Sequence, residues 1–187
     1  MVNVNVPFGF QPVRQMSGND PRTNKYTIID NFGTAIYNGD MVLLANNGTI
    51  QPSPSGSPIN NIGVFAGCEY IDSTGNVVYS EFYPGGGGSR TNIVAYVYDD
   101  PYTVFKVQAN FVALSINVGE NATLGVAGGG GSTLTGRSKQ YLATATTTAN
   151  DPLRILRLAD NPENSFGQFA VLEVLINQHL LKLTAGI

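Results

Sequence analysis

Short runs of β-branched and aromatic residues, each closed by a turn signal, recur about every ten residues from Lys25 to Asn177. No other feature of the chain restricts its fold as tightly. Lys25-Tyr26-Thr27-Ile28-Ile29-Asp30 runs into Asn31-Phe32-Gly33, and Asn38-Gly39-Asp40 leads into Met41-Val42-Leu43-Leu44. Asn46-Asn47-Gly48 is a hairpin signal, because Asn and Gly tolerate the positive φ of type I′ turns. Ile62 to Ile71 predicts a long strand with small residues on one face, and Ser73-Thr74-Gly75-Asn76 turns it into Val77 to Phe82. Asn92 to Tyr98 alternates, with Ile93, Ala95 and Val97 on one face and Val94, Tyr96 and Tyr98 on the other. Thr103 to Val107, Gln140 to Thr146, Leu153 to Leu158 and Phe169 to Asn177 complete the series. Asn110 to Ile116 reads as one or two helical turns, from the spacing of Phe111, Leu114 and Ser115. The pattern predicts an all-β fold, a barrel or sandwich of short strands with at most one or two short helices.

Residues 1–24 read differently and form an extended N-terminal arm, with the all-β body at 25–187. Val and Asn alternate over Met1 to Val6, then Pro7-Phe8-Gly9-Phe10-Gln11-Pro12-Val13-Arg14 sets two aromatics among Pro and Gly. Such a segment has few means of building its own core. It lies on a neighbouring subunit or on its own body, and both readings stay open. Within the body, 25–90 and 91–187 are candidate layers. Gln51 to Asn61 is a Pro- and Ser-rich loop, and Gly85–Gly88 and Gly128–Gly131 read as loops or hairpin tips.

Composition narrows the chemistry. Charged residues make up 12% of the chain, about half the ordinary share of roughly 25%. Ten basic against thirteen acidic residues give a net charge of −3 and no basic stripe along the sequence, so nucleic acid is not an expected partner. No apolar run reaches the ~18 residues of a membrane span. Phe169 to Leu183 comes nearest and is broken by Glu173, Asn177, Gln178, His179 and Lys182. Neither end reads as a signal peptide, so synthesis in a cytoplasm is expected.

The reactive residues are sparse. Cys68 and His179 are each the only one of their kind, which leaves no disulfide and no cysteine-based zinc site. A Ser, Thr or Cys nucleophile needs a base, and His179, on the last apolar run, reads as a packed or interface residue. Cys68 sits between Gly67 and Glu69 inside a strand, with no cation beside it to activate the thiol. Gly125 to Ser132 has the spacing of a phosphate loop, but Gly131 stands where its lysine belongs. Asp99-Asp100-Pro101 reads as a turn, while Glu69, Asp72 and Glu81 sit on one proposed hairpin. No Asp-x-Asp-x-Asp-Gly calcium loop occurs. No catalytic residue, cofactor site or metal site is assigned, and the chain is not read as an enzyme.

The order Gly39-Asp40-Met41-Val42-Leu43-Leu44, Asn47-Gly48-Thr49-Ile50-Gln51-Pro52, Ile62-Gly63-Val64-Phe65-Ala66-Gly67 resembles a passage in tailed-phage head decoration proteins of the lambda type. Pro7 to Arg14 is similar to the opening of structural proteins from marine and cyanobacterial phages, and Val171 to His179 resembles the same group. The resemblance implies a β-tulip body and a cement role on the capsid exterior of a virion. A homotrimer would clamp the major capsid protein and stabilise the shell. It also implies that the arm, through Pro7, Phe8, Phe10, Pro12, Val13 and Arg14, forms the capsid or subunit interface. Other readings are a head fibre base, a tail tube or adaptor, a glycan-binding sandwich that uses tyrosines and amide loops, and a β-fold hydrolase.

Overall fold

In the computed structural model, residues 3–86 and 89–182 are described; Met1, Val2, Gly87, Gly88 and Leu183, which carry parts of the expectations above, lie outside them. The fold is all-β. The strands are β1 (Gln11–Gln15), β2 (Asn24–Thr27), β3 (Met41–Leu44), β4 (Ile50–Pro52), β5 (Asn61–Ile71), β6 (Val77–Ser80) and β7 (Thr91–Tyr98). They continue as β8 (Thr103–Gln108), β9 (Val112–Ala113), β10 (Asn121–Gly131), β11 (Ser138–Thr146), β12 (Leu153–Leu158), β13 (Gly167–Gln168) and β14 (Val171–Ile176). The helical turns expected at Asn110 to Ile116 reduce to one 3-10 turn, Ser115–Asn117, after the short strand β9. A second 3-10 turn covers Leu180–Lys182.

Residues 24–98 form the first sheet, in the order β2-β7-β5-β3-β4, with β6 also paired to β5. The second sheet runs β1-β8-β14-β12-β10-β11, and every ladder in both is antiparallel. The second sheet curls until β11 meets the end of β8, where the Asn110 N–H donates to the Leu142 carbonyl at 2.8 Å. Its interior holds Phe105, Val107, Leu124, Leu142, Ile155, Leu172 and Val174, with Phe10, Met41 and Val64 entering from outside. A second cluster, with Ile28, Val42, Phe65, Ile93 and Val97, lies on the other side of β3 and β5.

β5 is buried along nearly its whole length, because register shifts beside Ile62 and Ala66 alternately turn its side chains to one cluster and the other. Gly63 stands at the first of these, and a Cβ there would lie 2.1 Å from the Tyr98 carbonyl oxygen. Gly128–Gly131 is strand, not a loop or tip as the sequence suggests, since β10 continues to Gly131 and the turn falls at Ser132 to Arg137. A ring explains the glycine at position 131. Tyr37 lies flat where a Gly131 side chain would start, and it stacks on Phe82 at 5.7 Å.

Candidate functional site

The N-terminal segment packs on its own chain. Phe10 is 1% exposed and meets Phe105 edge to face at 6.4 Å. Its N–H donates to the Gly39 carbonyl at 2.8 Å, while Gln11–Gln15 forms an edge strand on β8. Pro7, Phe8, Pro12 and Arg14 are half-buried, which leaves Val13 as the exposed member of the expected interface. Further up the segment, Asn3 Nδ2 donates to the carbonyls of Ser165 and Gln168, and Gln108 Nε2 to that of Val4. A cleft of about 410 Å³ runs along this contact, yet its Asn3, Gln108 and Asn164 amides already serve the chain's own carbonyls. Those amides are therefore engaged rather than presented to a sugar.

A different segment presents apolar surface. β9 pairs with β13, placing Ala113 opposite Gly167 and Val112 opposite Gln168. Ala113 is fully buried, so the alternate positions point outward. Val112, Leu114 and Phe166 thus share one outer face, 56%, 52% and 40% exposed, and the 3-10 turn adds Ile116 at 75%. Val107 to Gly119 contains no charged residue. Sequence reasoning missed this ribbon because it took the spacing of Phe111, Leu114 and Ser115 for one or two helical turns.

The second sheet also assembles charge that is scattered in the sequence. Lys106 lies opposite Gln11 and Glu173, and Glu173 lies opposite Arg157. Glu173 Oε2 accepts from both Arg14 Nη1 and Arg157 Nε at 2.8 Å. With exposed Arg154 beside them, four of the chain's ten Lys and Arg residues gather on the outer face around one buried carboxylate. A two-cation cradle of this kind satisfies an acid that burial would otherwise penalise.

The candidate reactive groups are separated. Cys68 is buried, and burial pushes its thiol up to about 12. His179 is buried, and its Nδ1 accepts the Leu181 N–H at 3.2 Å, a bond within its own 3-10 turn. Asp72 caps its turn by accepting from Thr74 and Asn76, while Glu69 pairs with Lys25 at 3.5 Å. Asp99 accepts from Asn24 Nδ2 and from the Tyr26 hydroxyl at 2.7 Å. Asp100 receives the Tyr102 N–H in the turn before β8. Among the described residues no group of three or more His, Cys, Asp or Glu side chains is placed to hold a metal ion, and no helix is long and apolar enough to cross a membrane.

Asp40 and His179 link stability to pH in opposite senses. Burial raises Asp40 from 3.8 to about 6, so its contribution is present below pH 3.8 and is lost as pH rises through about 6. Burial, then the Lys182 charge, lowers His179 from 6.5 to about 4. Its contribution is present above pH 6.5 and is lost as pH falls through about 4. Displacements of this size are each worth on the order of 3 kcal/mol. The two therefore offset, and the urea midpoint of the native chain is expected to stay nearly level from pH 4 to 6.5. Asp40→Asn should make the midpoint rise with pH and His179→Gln should make it fall; parallel profiles for all three chains would contradict the assignment.

No family model, curated protein or solved structure matches this chain.

Proposed function

We propose that the protein is a non-enzymatic virion structural protein, a capsid decoration protein that binds the outer capsid surface as a homotrimer and stabilises the shell. The observation that carries the reading is the uncharged ribbon of Val112, Leu114, Ile116 and Phe166, four apolar side chains held outward around one short strand pair. Contiguous exposed apolar surface marks association sites. Identical copies repeat each other's charges at a shared interface, so an uncharged patch meets its counterpart without repulsion. The resemblance described above supplies the capsid as the setting. A tail or adaptor role shares these features and is separated by copy number per particle.

Light scattering across a concentration series tests the assembly. The expected species contains three chains of 19.8 kDa, 59.4 kDa in all. Ile116→Asp places an unpaired carboxylate in each copy of the interface, a desolvation cost of several kcal/mol, and is expected to return the protein to 19.8 kDa. A native chain that stays at 19.8 kDa throughout argues against a preformed trimer. Failure of both chains to bind expanded tailed-phage heads argues against the decoration role.

A further inference from the structure

The N-terminal segment sits in a slot one side chain wide. A Cβ on Gly9 would lie 2.5 Å from Ser138 Cβ and 2.8 Å from the Gly39 carbonyl oxygen, so Phe8–Phe10 fills the gap between the two. Gly9 has φ of +74°, a conformation suited to glycine. Asp40 follows Gly39 directly and is 3% exposed. Its Oδ2 accepts the Tyr37 N–H at 2.7 Å, while its Oδ1 has no hydrogen-bond partner among the described residues.

We propose that Asp40 is a proton-operated latch on the N-terminal segment: the protonated carboxyl keeps the slot around Phe8–Phe10 closed, and ionisation loosens it. A buried carboxylate without donors at one oxygen is strongly penalised, whereas a proton on Oδ1 turns that oxygen into a donor. Ser138 borders both the slot and the carboxyl; its hydroxyl favours the ionised form, but it does not reach hydrogen-bond geometry with Oδ1.

Among the described residues no salt bridge reaches Asp40. Main-chain bonds tie this stretch to its neighbours: the Phe10 N–H donates to the Gly39 carbonyl, the Gly39 N–H to that of Phe65 and the Phe65 N–H to that of Asp40, while the Tyr37 N–H reaches the carboxyl itself. Arg137, just before β11, and Lys139 on it flank Ser138 with exposed and half-buried side chains. Burial is what raises Asp40 to about 6, against the pull of Ser138 and the Tyr37 N–H. Opening the slot returns the carboxyl toward its ordinary 3.8, so the opening equilibrium shifts by up to about a hundredfold between pH 4 and pH 7.

Hydrogen exchange on the full chain reads this directly, using the Phe10 amide that donates to Gly39. After correction for intrinsic rates, its protection is expected to fall by up to about a hundredfold from pH 4 to pH 7. The amides of β14 should not follow, and Asp40→Asn should hold Phe10 level. Three results overturn the latch: level Phe10 protection in the native chain, a fall shared equally by β14, or an Asp40→Asn chain that keeps the native fall. If Asp40→Asn does not fold, the contrast between Phe10 and β14 in the native chain decides alone.

Discussion

Phe10→Ala is expected to lower the unfolding free energy by about 3–5 kcal/mol, the range for removing a fully buried aromatic. The side chain is 1% exposed and enters the interior of the second sheet beside Met41 and Val64. Its edge-to-face contact with Phe105, at 6.4 Å, adds an aromatic component of about 0.5–1.5 kcal/mol within that total. A domain is commonly stable by only about 5–15 kcal/mol, so the change consumes a large share. Val13→Ala, at a position 41% exposed in the adjoining strand, serves as the control and should stay within about 0.5 kcal/mol. Urea unfolding of both variants gives the answer. A loss below about 1 kcal/mol at Phe10 would remove the segment from the core. Deleting residues 1–24 takes away this side chain and edge strand β1 together, so the body is not expected to survive that truncation at native stability.

Gly63→Ala should cost about 2–5 kcal/mol, for two separable reasons. Its φ is +155°, where an L side chain is strained by roughly 1–2 kcal/mol. The new Cβ would also stand 2.1 Å from the Tyr98 carbonyl oxygen. Backbone cannot rotate aside as a side chain does, so the β5–β7 ladder must part, an overpacking cost of about 1–3 kcal/mol. Gly48→Ala isolates the first component. Gly48 has φ of +78° with nothing within 4 Å of a Cβ, so strain of about 1–2 kcal/mol is the whole expectation there. Equal losses in thermal or urea unfolding would show that the Tyr98 contact relaxes freely.

Local pattern announced the strands wherever one face is buried and the other wet. β7 is the clearest instance: Ile93, Ala95 and Val97 are all at most 1% exposed, as the alternation requires. The Ser73 to Asn76 turn was equally legible, because Asp72 accepts hydrogen bonds from Thr74 and Asn76 in a purely local arrangement. Failures came where the cause lies far along the chain. Gly131 looks like part of a loop until Tyr37, some ninety positions earlier, is seen to lie against it. The basic residues looked too few because Arg14, Lys106, Arg154 and Arg157 become neighbours only through strand register. Asp40 gave no signal either, since Gly-Asp before a strand reads as a turn, whereas the structure leaves it 3% exposed. The apolar ribbon was hidden by a coincidence of spacing between a short helix and a two-residue strand.

The pairing of β1 with β8 also sets an order of events during synthesis. Gln11 is made before its partner Lys106, which follows about 95 residues later, and at 5–20 residues per second that is roughly 5–20 s. The strands of the first sheet lie entirely between them, so that sheet can form while the N-terminus still has no edge to join. Even after β8 emerges, its other neighbour β14 is a further sixty or so positions away. Throughout that wait Phe8 and Phe10 are open to water and to any chaperone that binds aromatic segments. A strand translated before the whole of the first sheet is among the last to find its place.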